Sequence, residues 1–145
     1  MAAKPTHKGG SDRQLRQRLR SWFDSPLGLS LQAIETNRLR SILPNLYGKV
    51  VLQLGALGKM NMIDSSPAPT RVVIDLLGNN HAVAVQGFPE ALPFAGRSVD
   101  IALLPHTLDF ASDPHQVLRE VDRVLVPEGH VVVLGFNPQI GRAHV

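Results

Sequence analysis

Five consecutive residues constrain this chain most: Val50-Val51-Leu52-Gln53-Leu54, apolar at four of five positions and closed by Gly55. A strand with one wet face alternates apolar and polar side chains, whereas a near-continuous apolar strand is covered on both faces, the pattern of a parallel sheet. Parallel neighbours need crossover connections, and these place helices over the sheet. The expected fold class is therefore α/β, a mostly parallel sheet with helices on both faces.

The rest of the chain alternates accordingly. Apolar β-rich runs recur at Arg71 to Asp75, Ala82 to Gly87, Val99 to Leu104 and His130 to Phe136. Asp113-Pro114 is a helix start, a capping carboxylate followed by proline at the first helical position, and Val117, Leu118, Val121, Val124 and Leu125 share one face of the helix that follows. Pro127-Glu128-Gly129 stops it. Upstream, Ser11 or Asp12 caps a helix in which Leu15, Leu19, Trp22 and Phe23 recur at helical spacing, and Ser25-Pro26 and Gly28 break it. A second helix is expected from Ser30 to Leu43, with Leu31, Ile34, Leu39 and Ile42 inward and Pro44 as its stop. The link from Asp75 to Ala82 is shorter than a helical crossover, and Asn79-Asn80 suggests a turn between antiparallel strands. Met60 to Ser66, closed by Pro67 and Pro69, reads as a stunted helix.

Composition narrows the function classes. A chain of 145 residues, 43% hydrophobic, is the size of one domain with a real core. It has no cysteine, which removes disulfides, thiolate zinc sites and cysteine nucleophiles, and cytoplasm is the expected compartment. No His or carboxylate cluster has ligand spacing, so no metal site is expected. No apolar run approaches the ~18 residues of a membrane span. The net charge of +3 is uneven: residues 1–20 hold six basic side chains, Lys4, Lys8, Arg13, Arg16, Arg18 and Arg20, against Asp12 alone. Such an arm could contact nucleic acid, but its arginines share a helix with an apolar stripe and lack interleaved aromatics, so a solvated helix face is expected and nucleic acid is not the expected partner.

In parallel sheets ligands sit at the carboxyl ends of strands, which directs attention to the loops after Leu54, Asp75, Gly87 and Leu104. Gly55-Ala56-Leu57-Gly58 is either a tight strand-to-helix turn or a loop whose backbone approaches a ligand. His106 is either a base or a strand-end polar residue satisfied by backbone, with Asp109 one turn on; His81 and His115 read as loop and surface residues.

Taken together, Val50 to Gly58, Glu90-Ala91-Leu92-Pro93-Phe94, Ser98-Val99-Asp100 with its apolar strand, and Arg123-Val124-Leu125-Val126-Pro127-Glu128-Gly129 resemble the ordered signatures of class I S-adenosylmethionine-dependent methyltransferases, in particular bacterial type 11-like members acting on small molecules. The resemblance runs from Lys49 to Phe136 and implies a Rossmann-like domain with S-adenosylmethionine as cofactor and a small-molecule methyl acceptor. By position it implies that Gln53, Gly55, Ala56 and Gly58 lie under the methionine part, that Asp75 accepts from the ribose hydroxyls, that Gly87, Phe88 and Pro89 flank the adenine, and that Leu104, Pro105 and His106 sit beside the sulfonium, His106 being the candidate catalytic base.

The domain organisation expected is a disordered tail over 1–10, a helical cap over 11–48 and a partial methyltransferase domain over 49–139 whose last strands are missing. Residues 140–145 read as a non-native tail resembling a translated sequencing adapter, and the run from His130 to Phe136 is expected at a sheet edge. The alternative function is a non-catalytic pseudoenzyme or interaction module on the same fold, motivated by Gln53 where the family has an acid, by Leu57 in the loop and by Phe88 beside the adenine position. A dinucleotide oxidoreductase is a further enzyme alternative, but the 90–94 run and the Pro127-Glu128-Gly129 stop have no reason to occur there.

Overall fold

The computed structural model describes residues 3–58, 61–77 and 84–136, with side chains from residue 13 onward. Its elements are helices α1 (Ala3–Phe23) and α2 (Pro26–Ile42), a 3-10 turn (Leu43–Asn45), strands β1 (Val50–Leu54), β2 (Thr70–Asp75), β3 (Val85–Gln86) and β4 (Val99–Pro105), helix α3 (Pro114–Val124) and strand β5 (Leu125–Leu134). The strands form one sheet in the order β3-β2-β1-β4-β5, and every pairing is parallel.

The apolar run at Val50 becomes the central strand, and the period-two alternation of strands decides which side chain goes where. Val51, Val73, Ile101 and Leu103 point to one face and pack under Leu39 and Leu43 from α2 and the 3-10 turn, with Met62, Ile63 and Ala68 of the β1–β2 link. Leu52, Leu54, Ile74, Ala102 and Leu104 point to the other and meet Val117, Val121 and Val124 of α3. Both faces are thus covered, as the sequence of β1 requires.

The motif residues have structural duties. Asp100 at the start of β4 accepts hydrogen bonds from Lys49 N (2.9 Å) and Val50 N (3.0 Å), tying the entry of β1 to its neighbour. Arg123 donates to Leu92 O (2.9 Å) and Phe94 O (2.9 Å), while Glu120 accepts from Leu92 N (2.8 Å) and from Arg123 Nε (2.8 Å), so the 90–94 loop is clipped onto α3. The Arg123 hydrogen bond is the main reason the Glu120 carboxyl sits below its ordinary value.

Several expectations are corrected. Helix α1 begins at Ala3 and so runs through residues 3–10, ahead of the expected start at Ser11 or Asp12. Helix α2 begins at Pro26, with Ser25 as N-cap accepting from Gly28 N (3.2 Å), so Ser25-Pro26 starts a helix as well as ending one. Its buried face carries Gly28, Gln32, Thr36 and Leu39, and Ile34, expected inside, is 68% exposed. Gln32 is buried because its Nε2 donates to Phe23 O (2.7 Å), one of the carbonyls left open at the end of α1.

Strands β2 and β3 run parallel, against the expected antiparallel turn. The crossover rule applies to strands of full length; β3 has two residues and pairs Val85 with Ile74 and Gln86 with Asp75, at the far end of β2, so the chain need retrace only a few ångströms. No helix occurs among the described residues of the β1–β2 link, where a stunted one is expected. Strand β5 starts at Leu125, directly after α3, and Pro127-Glu128-Gly129 lies in an irregularity between the pairs Val99–Leu125 and Ile101–His130. Leu118, expected on the buried face of α3, is 43% exposed, and β5 lies at the sheet edge as expected. Asn79-Asn80, His81 and residues 137–145 lie outside the described residues.

Candidate functional site

The carboxyl ends of β1, β2 and β3 and the loop after β4 converge on one cavity. It is lined by Leu54, Gly55, Ile74, Asp75 and Leu76, by Gly87 to Glu90, by Thr107, Phe110, Ala111 and Ser112, and from outside the sheet by Leu15 and Arg16 of α1. Gly55, Asp75, Gly87, Phe88 and Pro89 were expected together there and are together. Gly55 has φ 106°, a left-handed conformation that a side-chain-bearing residue would strain to adopt. Thr107, which the sequence reading passed over, donates its hydroxyl to Leu54 O and so joins the ends of β4 and β1.

Asp75 is the electrostatic centre and is 3% exposed. Its Oδ1 accepts from Arg16 Nη2 and from Ala56 N (3.3 Å); its Oδ2 accepts from Arg20 Nη2 (2.8 Å) and from Leu77 N (3.1 Å). Arg20 also reaches Ala56 O with Nε (3.1 Å) and Leu77 O with Nη2 (3.1 Å), bridging the loops after β1 and β2. This corrects the solvated-face reading of the basic helix: two of its arginines are packed at the end of the sheet, with side chains only 12% and 14% exposed.

The remaining predicted residues lie around this cavity without lining it. Gln53 is buried and its Nε2 donates to Gly55 O (2.8 Å), so the amide that replaces the family's acid holds the loop from beneath. Ala56 contributes backbone only. Gly58 faces α2, where an added Cβ would meet the Gln32 amide at 1.7 Å, and Leu57 is buried. Leu104 is wholly in the core, and Pro105 ends β4 beside Leu134 of β5.

His106 forms a second constellation. It has φ 58° and is 2% exposed. Its Nδ1 faces Asp109 Oδ2 at 3.0 Å and its Nε2 faces Glu35 Oε2 of α2 at 2.6 Å. A carboxylate oxygen accepts, so both contacts are made at once when both ring nitrogens donate, and the arrangement favours the imidazolium form. Burial lowers its pKa, but the hydrogen bonds and charges of Glu35 and Asp109 together outweigh burial and raise it above the ordinary 6.5. In this state His106 has no lone pair with which to act as a base. The partnership with Asp109 follows from spacing; Glu35 does not, because the expected inward face of α2 was drawn through Ile34.

Known proteins resemble this chain in the same region. A family model described as a methyltransferase domain matches residues 46–133. YafS of Escherichia coli is 38% identical over 117 residues, covering 81% of this chain and 48% of YafS. The ubiquinone/menaquinone biosynthesis C-methyltransferase UbiE of Hahella chejuensis is 32% identical over 99 residues, covering 63% of this chain and 40% of that protein. Among solved structures, an S-adenosylmethionine-dependent methyltransferase from Thermotoga maritima superposes with a TM-score of 0.55 at 22% identity over 69% of this chain and 49% of its own, and shares the Rossmann-like sheet. The chain spans about half the length of the curated relatives it matches. With the matched segment covering most of the sheet, the chain belongs to the methyltransferase-domain family.

Proposed function

We propose that this chain binds S-adenosylmethionine and takes part in methyl transfer to a small-molecule acceptor. The observation that carries the reading is the convergence of Gly55, Asp75 and the 87–89 loop on one cavity at the carboxyl ends of three parallel strands. The donor set suits the group. A carboxylate at the end of β2 offers two acceptors to a vicinal diol, and Ala56 N and Leu77 N already fix its plane. At Gly55 the nearest non-neighbour atom to an added Cβ is Arg16 Nη2, at 3.0 Å, so the loop itself leaves the space above it open. Phe88 lines the cavity and is 37% exposed, with a ring face available to a flat heterocycle.

When bound, the cofactor would supply a methyl group on a sulfonium, open to in-line displacement. The chain's own contribution is then orientation and exclusion of water, which need no dedicated triad. Asp75 would hold the ribose, the first loop would lie under the methionine part, and Leu104 and Pro105 would give the neighbouring wall an apolar backing. His106 would organise the loop after β4 through Asp109.

Calorimetric titration with adenosylhomocysteine tests this. Saturable binding is expected, lost in Asp75→Asn, which keeps the shape but turns one acceptor oxygen into a donor; no binding at millimolar ligand by the parent chain and by Arg16→Ala/Arg20→Ala alike would overturn it.

A further inference from the structure

We propose that helix α1 is a displaceable plug on this cofactor site: Arg16 and Arg20 hold the two Asp75 positions that the ribose hydroxyls would take, and the nucleoside can enter only when they leave. The inference rests on the cofactor reading above and adds to it a regulation by the chain's own basic arm.

Hydrogen-bond capacity makes the first argument. An ionised carboxylate has about four lone-pair sites. At Asp75 all four are in use, two by the backbone donors Ala56 N and Leu77 N and two by the guanidiniums of Arg16 and Arg20. The backbone donors belong to the loops that build the site. The arginines come from a helix 55 and more residues away, and their removal frees two acceptor positions for the two hydroxyls of a diol.

Space makes the second. With Leu15 and Arg16 in place the cavity is about 40 Å³, room for a few waters at roughly 10–15 Å³ each. Pockets for ligands of nucleoside size run to roughly 300 Å³ or more. All other lining residues come from the sheet's strand ends and loops, so α1 alone can be withdrawn without dismantling the site.

The third argument is that α1 is loosely held. Among its residues with described side chains only Phe23, next to the turn into α2, belongs to the buried core; Leu15 and Leu19 are half-buried and Trp22 is 38% exposed. Arg16 Nε is buried with no hydrogen-bond partner among the described residues, a defect that is relieved when the side chain returns to water. Two of the six basic residues in the first 20 positions, Arg16 and Arg20, thus supply the cations that neutralise this carboxylate while the site is closed.

Two measurements on the 145-residue chain test the plug. Arg16→Ala/Arg20→Ala should bind adenosylhomocysteine at least about tenfold more tightly than the parent, since apparent affinity falls with the fraction of chains that are open. In the parent, adenosylhomocysteine should speed tryptic cleavage after Arg16 and Arg20, the opposite of the protection expected when ligand fills a rigid site; this arm needs no variant. Equal or weaker binding by the double variant, or slowed cleavage in the parent, would overturn the plug and leave the cofactor reading standing. Binding by neither protein would remove both.

Discussion

Glu35 and His106, 71 positions apart, meet at 2.6 Å between Oε2 and Nε2, and this contact joins helix α2 to the end of the central sheet. Phe136 covers the imidazole with ring centroids 4.3 Å apart and Phe23 flanks it at 5.7 Å, so the pair is shielded from water.

The shielded pair makes stability fall at alkaline pH. Glu35 and Asp109 raise the folded-state pKa of His106 above 6.5, so the folded chain binds this proton more tightly than the unfolded one. The contribution is complete below the unfolded value and is lost as pH rises through the folded one. Melting temperature measured from pH 5 to pH 9 should decline across the upper part of that range. Glu35→Gln should cost about 1–3 kcal/mol at pH 6 and reduce the slope; an unchanged slope in that variant would show that the pair does not set it.

At the junction of α1 and α2, Gly28 sits where an added Cβ would lie 2.3 Å from Trp22 O and 2.5 Å from Phe23 Cα. Both are backbone atoms, so the helices themselves would have to separate. Gly28→Ala should destabilise by about 1–3 kcal/mol, the range for overpacking, although alanine is the better helix former. Urea denaturation gives the answer directly: a stabilised variant would mean that the close crossing does not occur.

Much of the core was legible in the sequence, and the failures have a common cause. Strands β1, β2 and β4 and the capped start of α3 follow from local rules, since burial on both faces leaves an apolar run and a helix start needs a capping carboxylate. Helix α2 was misread because Gln32 and Thr36 are buried polar residues: Gln32 goes inside to satisfy a carbonyl of α1, and Ile34 stays out, an exchange invisible to an apolar count. Arg16 and Arg20 were misread in the same way, as solvated, because their partner Asp75 lies more than fifty residues downstream. At the candidate site, the strand-end rule points to the loops that hold Gly55, Asp75 and Gly87 and the family resemblance names the residues, whereas what closes the site depends on contacts between distant segments.

The clip between α3 and the 90–94 loop should show in acid. Arg123 bonds to Glu120 and to Leu92 O and Phe94 O, and Glu120 titrates below its ordinary 4.5. A depressed carboxylate contributes stability above its unfolded pKa and loses it as pH falls through the folded one, so the clip weakens below about pH 4.5. The pair is partly exposed and solvent screening keeps its own contribution small. Arg123→Ala should therefore lower the melting temperature only slightly at pH 7, and Glu120→Gln should flatten the acid limb of the melting profile.

The last prediction concerns the edge. In β5, Val132 and Leu134 pack on the core while Val131 and Val133 point away and are 42% and 48% exposed, with Phe136 beyond them 45% exposed. Among the described residues β5 pairs only with β4, and such an edge with an apolar outer row is a template for pairing with another chain. Its length of ten residues makes the template long. Val133→Lys places a charge on the row without touching the buried alternation, so the melting temperature should move little while light scattering at the end of the melt drops. The same substitution at the inward Val132 should instead unfold the edge, because its side chain packs on the cluster around Leu103. If both variants aggregate like the parent, association runs through another surface and β5 is not its template.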